Sequence, residues 1–414
     1  MWPPALYDVV WRVQDWHYVA EGGANVVVGY IGPPVWPFVD TQGTGASLAL
    51  RIPKSLPEGP RNTIAPSTPP ADVFIDQVLT HVLPRESLPV LRRISLTGAV
   101  RRFVQELAAQ IEQARPAKRR ACSHINLAAP YMWAMRDYSQ TTASGSLMVE
   151  IKPKCGFLPR LPETAYPCKR HYSRYKMHRV YKALTKHNTY PTYADFEQWY
   201  DPLDLFSGDP DRIRRAVHAL CDDWARGEGN LHVMVHGTRA SRQDVEKHIP
   251  WLREDAVVGI AERVLTTLLL PHNLHLLAQI AMQQQRLDPL DIEGLDQLWQ
   301  HVRDKSLLDA DESSFPRISL LDYQYAAKGC AKSVSTNDRA MQPIVAAYLL
   351  SATLKDLSLF IPIQSESIYT ASLYVTDLDA KPAPKLRAHV KTDRLVALSF
   401  SHWLSANSPA CTST

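Results

Sequence analysis

Between Lys152 and Lys186 the chain carries ten lysine or arginine residues and a single acid, Glu163, a local charge of +9 where all 414 residues sum to +4. So dense a run of like charge calls for a polyanion against it. It opens at the end of an apolar run, Leu147 to Val149, followed by Glu150 and Ile151. Beyond that strand Lys152 and Lys154 stand at alternate positions on one side of an extended backbone, and Pro153 between them removes a ladder donor and stiffens the chain. A lone Lys-x-Lys is ordinarily a solvated strand end. Followed by eight more cations, this one borders a site for a polyanion. Basic residues (46) nearly balance acidic ones (42) over the whole chain, so the positive charge is local. That pattern argues against nucleic acid and for a compact anionic partner.

The length admits two or three domains or one large bilobal unit, and 45% hydrophobic content suffices for sizeable cores. The opening MWPPALYDVV lacks a basic region followed by an apolar one, so secretion is not expected. The most apolar helical stretch, Val264 to Met282, is interrupted by Pro271, His272, Asn273 and His275, and no membrane span is expected. Six cysteines without a C-x-x-C pair suit reduced thiols in an intracellular compartment. Cys168, His171 and His178 lack a fourth ligand, which favours packing or substrate contact over a metal centre.

Along the chain, HYVAEGGANVVVGY reads as strand, tight turn, strand, with a turn whose amides can approach phosphates. It is neither a Walker loop nor a G-x-G-x-x-G fingerprint. A second strand, Ser47 to Ile52, brings Arg51 and Lys54 to where a kinase small lobe holds a cation over nucleotide phosphates. A Pro-rich surface excursion is expected from Pro53 to Pro70, and helices at Asp72 to Leu83 and Val100 to Ala114. The knot Arg115 to Arg120 reads by itself as a solvated or nuclear-localisation-like run. Ala129 to Tyr138 reads as a strand leading into a hinge. In the helical stretch Arg170 to Lys186, Arg174, His178 and Lys182 share one face beside an apolar seam of Met177, Tyr181 and Leu184. Residues 245 to 304 read as mostly helical, including Leu287 to Leu295, and Ala326 to Met341 as an insertion or mobile loop.

Two apolar strands, Leu357 to Ile363 and Ala371 to Thr376, are expected to pair about a turn from Gln364 to Thr370. Such a hairpin places Asp356 opposite Asp377. Lys355 and Asp379 flank the spot, and Lys381, Lys385, Arg387 and His389 follow in what reads as one short loop. Paired carboxylates among cations suit Mg²⁺ with a phosphate-rich ligand, one carboxylate remaining to accept a hydroxyl proton.

Taken together, EGGANVVV, LRIPK, RPAKR, VEIKPKCGFLP, RYKMHRVYK, YDPLDLFSG, GNLHV, LDIEGL, KDLSLFI and DLDAKP resemble, in order, the motifs of the inositol-pentakisphosphate 2-kinases. VEIKPKCGFLP and YDPLDLFSG are the specific ones. The resemblance implies an α+β, protein-kinase-like two-lobed fold with an enlarged, helix-rich inositol-phosphate-binding C-lobe, residues 1–137 forming the N-terminal lobe and 138–414 the C-terminal lobe. It implies transfer of the γ-phosphate of ATP to the axial 2-hydroxyl of inositol 1,3,4,5,6-pentakisphosphate, giving the hexakisphosphate and ADP with Mg²⁺ as cofactor. Carried over by position, Gly22, Gly23, Ala24, Asn25 and Arg51 would attend the nucleotide phosphates, Arg136 and Tyr138 would belong to the hinge at the adenine, and Glu150 would lie near the adenosine. Asp356 would be the catalytic base, Asp377 would hold the nucleotide's metal with Asp379 as a second ligand, and Lys152 with Arg51 would stabilise the transferring group. Arg119, Lys152, Lys154, Lys182, Asn230, Lys381, Lys385 and His389 would grip the substrate phosphates, with Arg174, His178 and Arg387 as further candidates. A monomer in nucleus and cytoplasm is expected from the same likeness.

The chain departs from the pattern in three places. Ala20 stands where relatives usually have glycine, and Lys385 and His389 where they carry arginine and tyrosine. No cysteine lies between Cys221 and Cys330, so the zinc cluster of some relatives, and any structural zinc, is not expected. Two rivals remain: a non-catalytic inositol polyphosphate binding protein on the same fold, and another kinase. Absence of H-R-D and D-F-G motifs argues against a protein kinase.

Overall fold

Alternating apolar residues build the first sheet. β1 (Trp16–Glu21) and β2 (Asn25–Tyr30) form the expected hairpin, with a bulge between Tyr18 and Ala20. β3 (Leu48–Ser55) pairs with β2 and runs through Pro53, past the expected end at Ile52. With β4 (Arg92–Ser95), β5 (His124–Ile125) and β6 (Tyr131–Arg136) the order is β1-β2-β3-β6-β4, β5 joining the end of β3. Val26, Val28, Leu48, Leu50 and Ile52 point to one face, where Phe103, Val104, Leu107 and Ile111 of the helix Gly98–Ile111 cover them. On the opposite face Ala49, Trp133 and Met135 join the helix Ala71–Gln77 in a larger core that continues into the second sheet. The computed structural model describes residues 3, 6, 9–41, 45–55, 68–140, 145–160, 164–306, 316–329, 338–364 and 372–407.

That second sheet has the order β11-β10-β7-β8-β9, from β7 (Leu147–Ile151), β8 (Leu231–Val235), β9 (Thr238–Ala240), β10 (Ser358–Ile363) and β11 (Tyr374–Thr376). β7 lies in the middle, and all five of its residues are buried, Glu150 among them. Leu147, Val149 and Ile151 face a core shared with the helices Pro210–Ala225, Ala256–Leu268, Pro271–Leu287 and Asp338–Leu354. The pairings within both sheets are antiparallel, and the chain is of the α+β class. No single described helix is long and apolar enough to cross a membrane; Val264 to Met282 is divided between two helices at Pro271, as expected.

Four expectations are corrected. The β10–β11 register pairs Ser358 with Thr376; extended by one residue it sets Leu357, not Asp356, across from Asp377. Asp377 turns left-handed there (φ 61°) and the ladder ends. Lys381 to His389 is not one loop, because a turn at Ala383–Lys385 leads into the helix Leu386–Asn407, which carries Arg387 and His389. Pro382 and Pro384 pre-set the backbone for that helix start. Leu287 to Leu295 is not continuous helix: Pro289 disfavours helical backbone at Asp288, and a new helix, Asp291–Ser306, begins at a left-handed Asp291 (φ 53°). The stretch Arg170 to Lys186 is likewise divided into a turn at Pro167–Arg170, the helix Arg174–Lys182 and a wider turn at Ala183–His187. Residues 56–67 of the Pro-rich excursion, 330–337 of the expected insertion and 365–370 of the hairpin turn lie outside the described residues.

Candidate active site

β7 delivers the two lysines. Its last residue, Ile151, pairs with both neighbouring strands, and the Lys152 N–H then donates to the Asn230 carbonyl at 2.9 Å. The Pro153 carbonyl accepts from the Tyr200 hydroxyl at 2.8 Å. Lys154 adopts φ 69°, a left-handed backbone that a residue bearing a Cβ rarely takes. Lys152 Nζ reaches Asp377 Oδ2 at 2.7 Å, while Lys154 Nζ reaches Asp356 Oδ1 at 3.1 Å. From the far side, Lys381 Nζ meets Asp356 Oδ2 at 2.6 Å. Arg51 on β3 donates to Asp379 Oδ2 at 2.5 Å, and Asn25 to the same oxygen at 3.4 Å. Three aspartates thus stand beside four cations drawn from three separate parts of the chain.

Burial alone would raise the Asp356 carboxyl, yet Lys381 and Lys154 outweigh it and hold the group at about 2. Burial works against the Lys152 ammonium, but Asp377 and Glu150 overcome it and push that group up. Both stay charged at neutral pH.

Alongside runs a graded lane on the second face of the sheet. Met148, Met234 and Phe360 pack with Tyr138 and Tyr374, and Arg136 lies 4.7 Å from the Tyr374 ring centre. Next along β7 comes Glu150, buried and accepting from Ser358 Oγ at 2.7 Å, and then Lys152. An apolar cluster, a carboxylate and an ammonium thus follow one another along this face of the sheet. A Cβ at Gly22 or Gly23 would meet no protein atom within 4 Å, so no demand for bare backbone there comes from inside the fold.

Beneath that turn lies a buried network invisible in the sequence. Lys54 Nζ donates to Glu21 Oε2 at 2.8 Å and to the Gly22 carbonyl at 2.6 Å. Arg115 Nη2 donates to Glu21 Oε2 at 3.1 Å and to the Ser123 carbonyl at 2.9 Å. Two expectations fall here. Lys54 does not stand free for a phosphate, and Arg115 is not part of a solvated run, because each is held by Glu21 away from solvent. Arg119 remains exposed on the short helix Ala117–Arg120 that follows.

The helix Arg174–Lys182 is oriented by its apolar seam, where Met177 and Val180 pack on Phe196, Phe400 and Trp403. Ser173 caps it by accepting from the Lys176 N–H. Ser173→Ala should cost about 1 kcal/mol, read as a lower midpoint of chemical denaturation. On the outer face His178 and Lys182 line a cavity of about 870 Å³ with Asn230, Arg179 and Trp199. Asn230 Nδ2 is buried there without a hydrogen-bond partner among the described residues, which calls for an acceptor from outside. Burial first, then Lys182, Arg174, Lys186 and Lys154, push His178 down to about 4. Burial, then Lys186 and Lys154, lower Lys182, so these cations crowd one another as the sequence required. His389 is likewise pushed down to about 4, by burial and then Arg174, Lys381, Lys385 and Lys355. Lys385 and Arg387 are exposed near it.

Arg174 turns instead to Asp393, which also accepts from Lys169. Asp291, Glu293 and Asp393 lie close enough to hold an ion, but the Lys169 ammonium contacts all three, so this is a structural ion cluster. Lys355 does not flank the paired aspartates as expected but turns to Asp288, under the Phe157 ring. Neither cluster was foreseen, because its members come from distant segments and no spacing marks them.

A sequence model of the family described as inositol-pentakisphosphate 2-kinase matches residues 18–395. An inositol-pentakisphosphate 2-kinase of Cryptococcus neoformans var. neoformans is 30% identical over 94% of this chain and 93% of its own length. One from Arabidopsis thaliana is 24% identical over 96% and 95%, and one from Oryza sativa subsp. indica 25% over 92% of each.

Proposed function

The chain belongs to the inositol-pentakisphosphate 2-kinase family, and from that membership we propose how its cleft divides the labour of phosphoryl transfer. It is a kinase that phosphorylates inositol pentakisphosphate at the 2-position. Residues 1–137 form a nucleotide lobe and 138–414 a lobe for the inositol phosphate, on a kinase-like plan. The observation that carries the reading is Asp356 held between Lys154 and Lys381, with Lys152–Asp377 and Arg51–Asp379 beside it.

ATP lies along the lane from Tyr138 and Phe360 past Glu150 to Lys152, its phosphates under the Gly22 to Asn25 turn. The pentakisphosphate is gripped by Lys154, Lys182, Asn230 and Lys381, with Arg119, Arg174, His178, Lys385, Arg387 and His389 around its rim. Such a substrate brings about eight or more negative charges, at roughly 1.5 to 2 per phosphate, and a dense cationic wall makes that tolerable. Clamping five phosphates leaves one hydroxyl to face Asp356, which orients it and takes its proton. Lys152 and Arg51 stabilise charge on the transferring group. Asp377 and Asp379 fit a hard divalent ion: each engages its cation through Oδ2 and leaves Oδ1 without a hydrogen bond among the described residues. Bound there, magnesium would neutralise charge on the nucleotide phosphates.

With ATP, Mg²⁺ and inositol pentakisphosphate, equal amounts of hexakisphosphate and ADP should appear. Binding of the pentakisphosphate without turnover would instead favour the non-catalytic binder.

A second expectation concerns protons. His178 and His389 lie near 4 against an ordinary value of 6.5, so acid destabilises the fold. As pH falls from 6.5 the unfolded chain takes up protons that the folded chain refuses until about 4. Substrate phosphates reverse the local field and raise both histidines. At pH 6, calorimetry in buffers of different ionisation enthalpy should therefore give greater proton uptake on pentakisphosphate binding for the wild type than for His178→Asn/His389→Asn. Equal uptake would remove both histidines from the phosphate site.

A further inference from the structure

Gln284 is fully buried near the end of the helix Pro271–Leu287, and nothing in its sequence surroundings marks it. Its side-chain amide makes three hydrogen bonds. Oε1 accepts from the Gly156 N–H at 2.8 Å. Nε2 donates to the Lys154 carbonyl at 3.1 Å and to the Leu354 carbonyl at 3.0 Å. This orientation is the one that satisfies all the partners, since turning the amide over would set its NH₂ against an N–H and its oxygen against two carbonyls. The Gln284 carbonyl in turn accepts from Ser351 Oγ at 2.7 Å, fixing this helix to the one that ends at Leu354.

Both carbonyls matter to the reacting centre. Leu354 lies two residues before Asp356, and Lys154 is the residue whose ammonium touches Asp356 Oδ1. The amide therefore closes a ring that runs from the carboxylate through the lysine side chain to its carbonyl, across Gln284 to Leu354 and back. It also grips the left-handed turn at Lys154 (φ 69°) through that residue's carbonyl and the N–H two residues on.

We infer that Gln284 is a positioning residue for phosphoryl transfer: by bridging the backbones of Lys154 and Leu354, its amide sets where the Lys154 ammonium stands relative to the Asp356 carboxylate. This rests on reading Asp356 as the base and Lys154 as a substrate cation. Removing the bridge displaces the pair without touching substrate.

Gln284→Met keeps length and bulk and makes none of the three hydrogen bonds. Its kcat with pentakisphosphate should fall by about 10²-fold, the order expected for a displacement of roughly 1 Å at the reacting groups, while KM for ATP holds. Because the amide acts through Lys154, the double variant Lys154→Ala/Gln284→Met should be no more than about threefold slower than Lys154→Ala alone. The acid limb of kcat/KM, which reports the free enzyme, should also move to higher pH as Lys154 withdraws from Asp356. Ile280→Ala, one turn earlier and equally buried, controls for loss of stability and should combine additively with Lys154→Ala. Should Gln284→Met not fold, Gln284→Glu keeps the acceptor for Gly156, removes donors, and is read in the same cycle. Additive losses for Gln284 and Lys154, or a lower melting temperature with unchanged kcat and pH profile, would overturn the inference. If Lys154→Ala alone turns over like the wild type, the reading of the site itself is at fault, and the inference goes with it.

Discussion

Asp356→Asn should lower kcat by about 10³-fold, within the range for removing a general base, and leave pentakisphosphate binding as tight or tighter. The second half follows from the ion pairs. In the wild type Lys154 and Lys381 each spend a hydrogen bond on the Asp356 carboxylate; without its charge both ammoniums turn wholly to phosphate. A carboxylate near 2 is a feeble base, but its low value is the work of those same lysines. When substrate phosphates draw them away, Asp356 becomes more basic with the hydroxyl in place. Steady-state kinetics with calorimetric titration of pentakisphosphate into the variant would test both parts. Turnover within tenfold of wild type would remove Asp356 from the role of base.

Glu21→Ala should destabilise the first sheet by about 3–5 kcal/mol, the usual cost of stripping one partner from a buried ion pair. Here two cations lose their common partner at once, since Lys54 and Arg115 are 2% and 0% exposed and both bind Glu21. Burial alone would raise the Glu21 carboxyl, but Arg115 and Lys54 outweigh it and hold it below the usual carboxylate range. Its contribution is therefore complete above the ordinary value of 4.5 and is lost as pH falls below it toward the lowered folded value. Urea denaturation at pH 7 and pH 3 should show a large wild-type-to-variant difference at the first and a smaller one at the second. Lys54 also holds the Gly22 carbonyl, so KM for ATP should rise. A loss under about 1 kcal/mol, the scale of exposed pairs, would show that the network is solvated in solution.

What could be read from residues alone tracks how local each signal is. Lys152-Pro153-Lys154 was legible because an apolar run, alternation and a proline fix which way the lysines point. The hairpins at Gly22 and at Ser358–Thr376 were legible in kind, yet the second was placed one residue off. A ladder's end depends on the left-handed turn at Asp377, and aspartate does not announce that conformation. Lys54 and Arg115 were misread because their partner, Glu21, lies 33 and 94 residues away, and a cation's burial is decided by that partner. Asp393, Lys169 and Gln284 were missed outright. A carboxylate or amide on an amphipathic helix looks the same whether it faces water or ties two distant segments together.

The left-handed turn at position 154 carries a last consequence. Its backbone asks for glycine or asparagine, while the anion it meets asks for a long cation, and these demands cannot both be met by one natural side chain. A chain selected only to persist would settle the conflict toward glycine. If Lys154 grips substrate as proposed, durability has been surrendered for chemistry at this turn, and engineering for heat resistance there would be most apt to silence the enzyme.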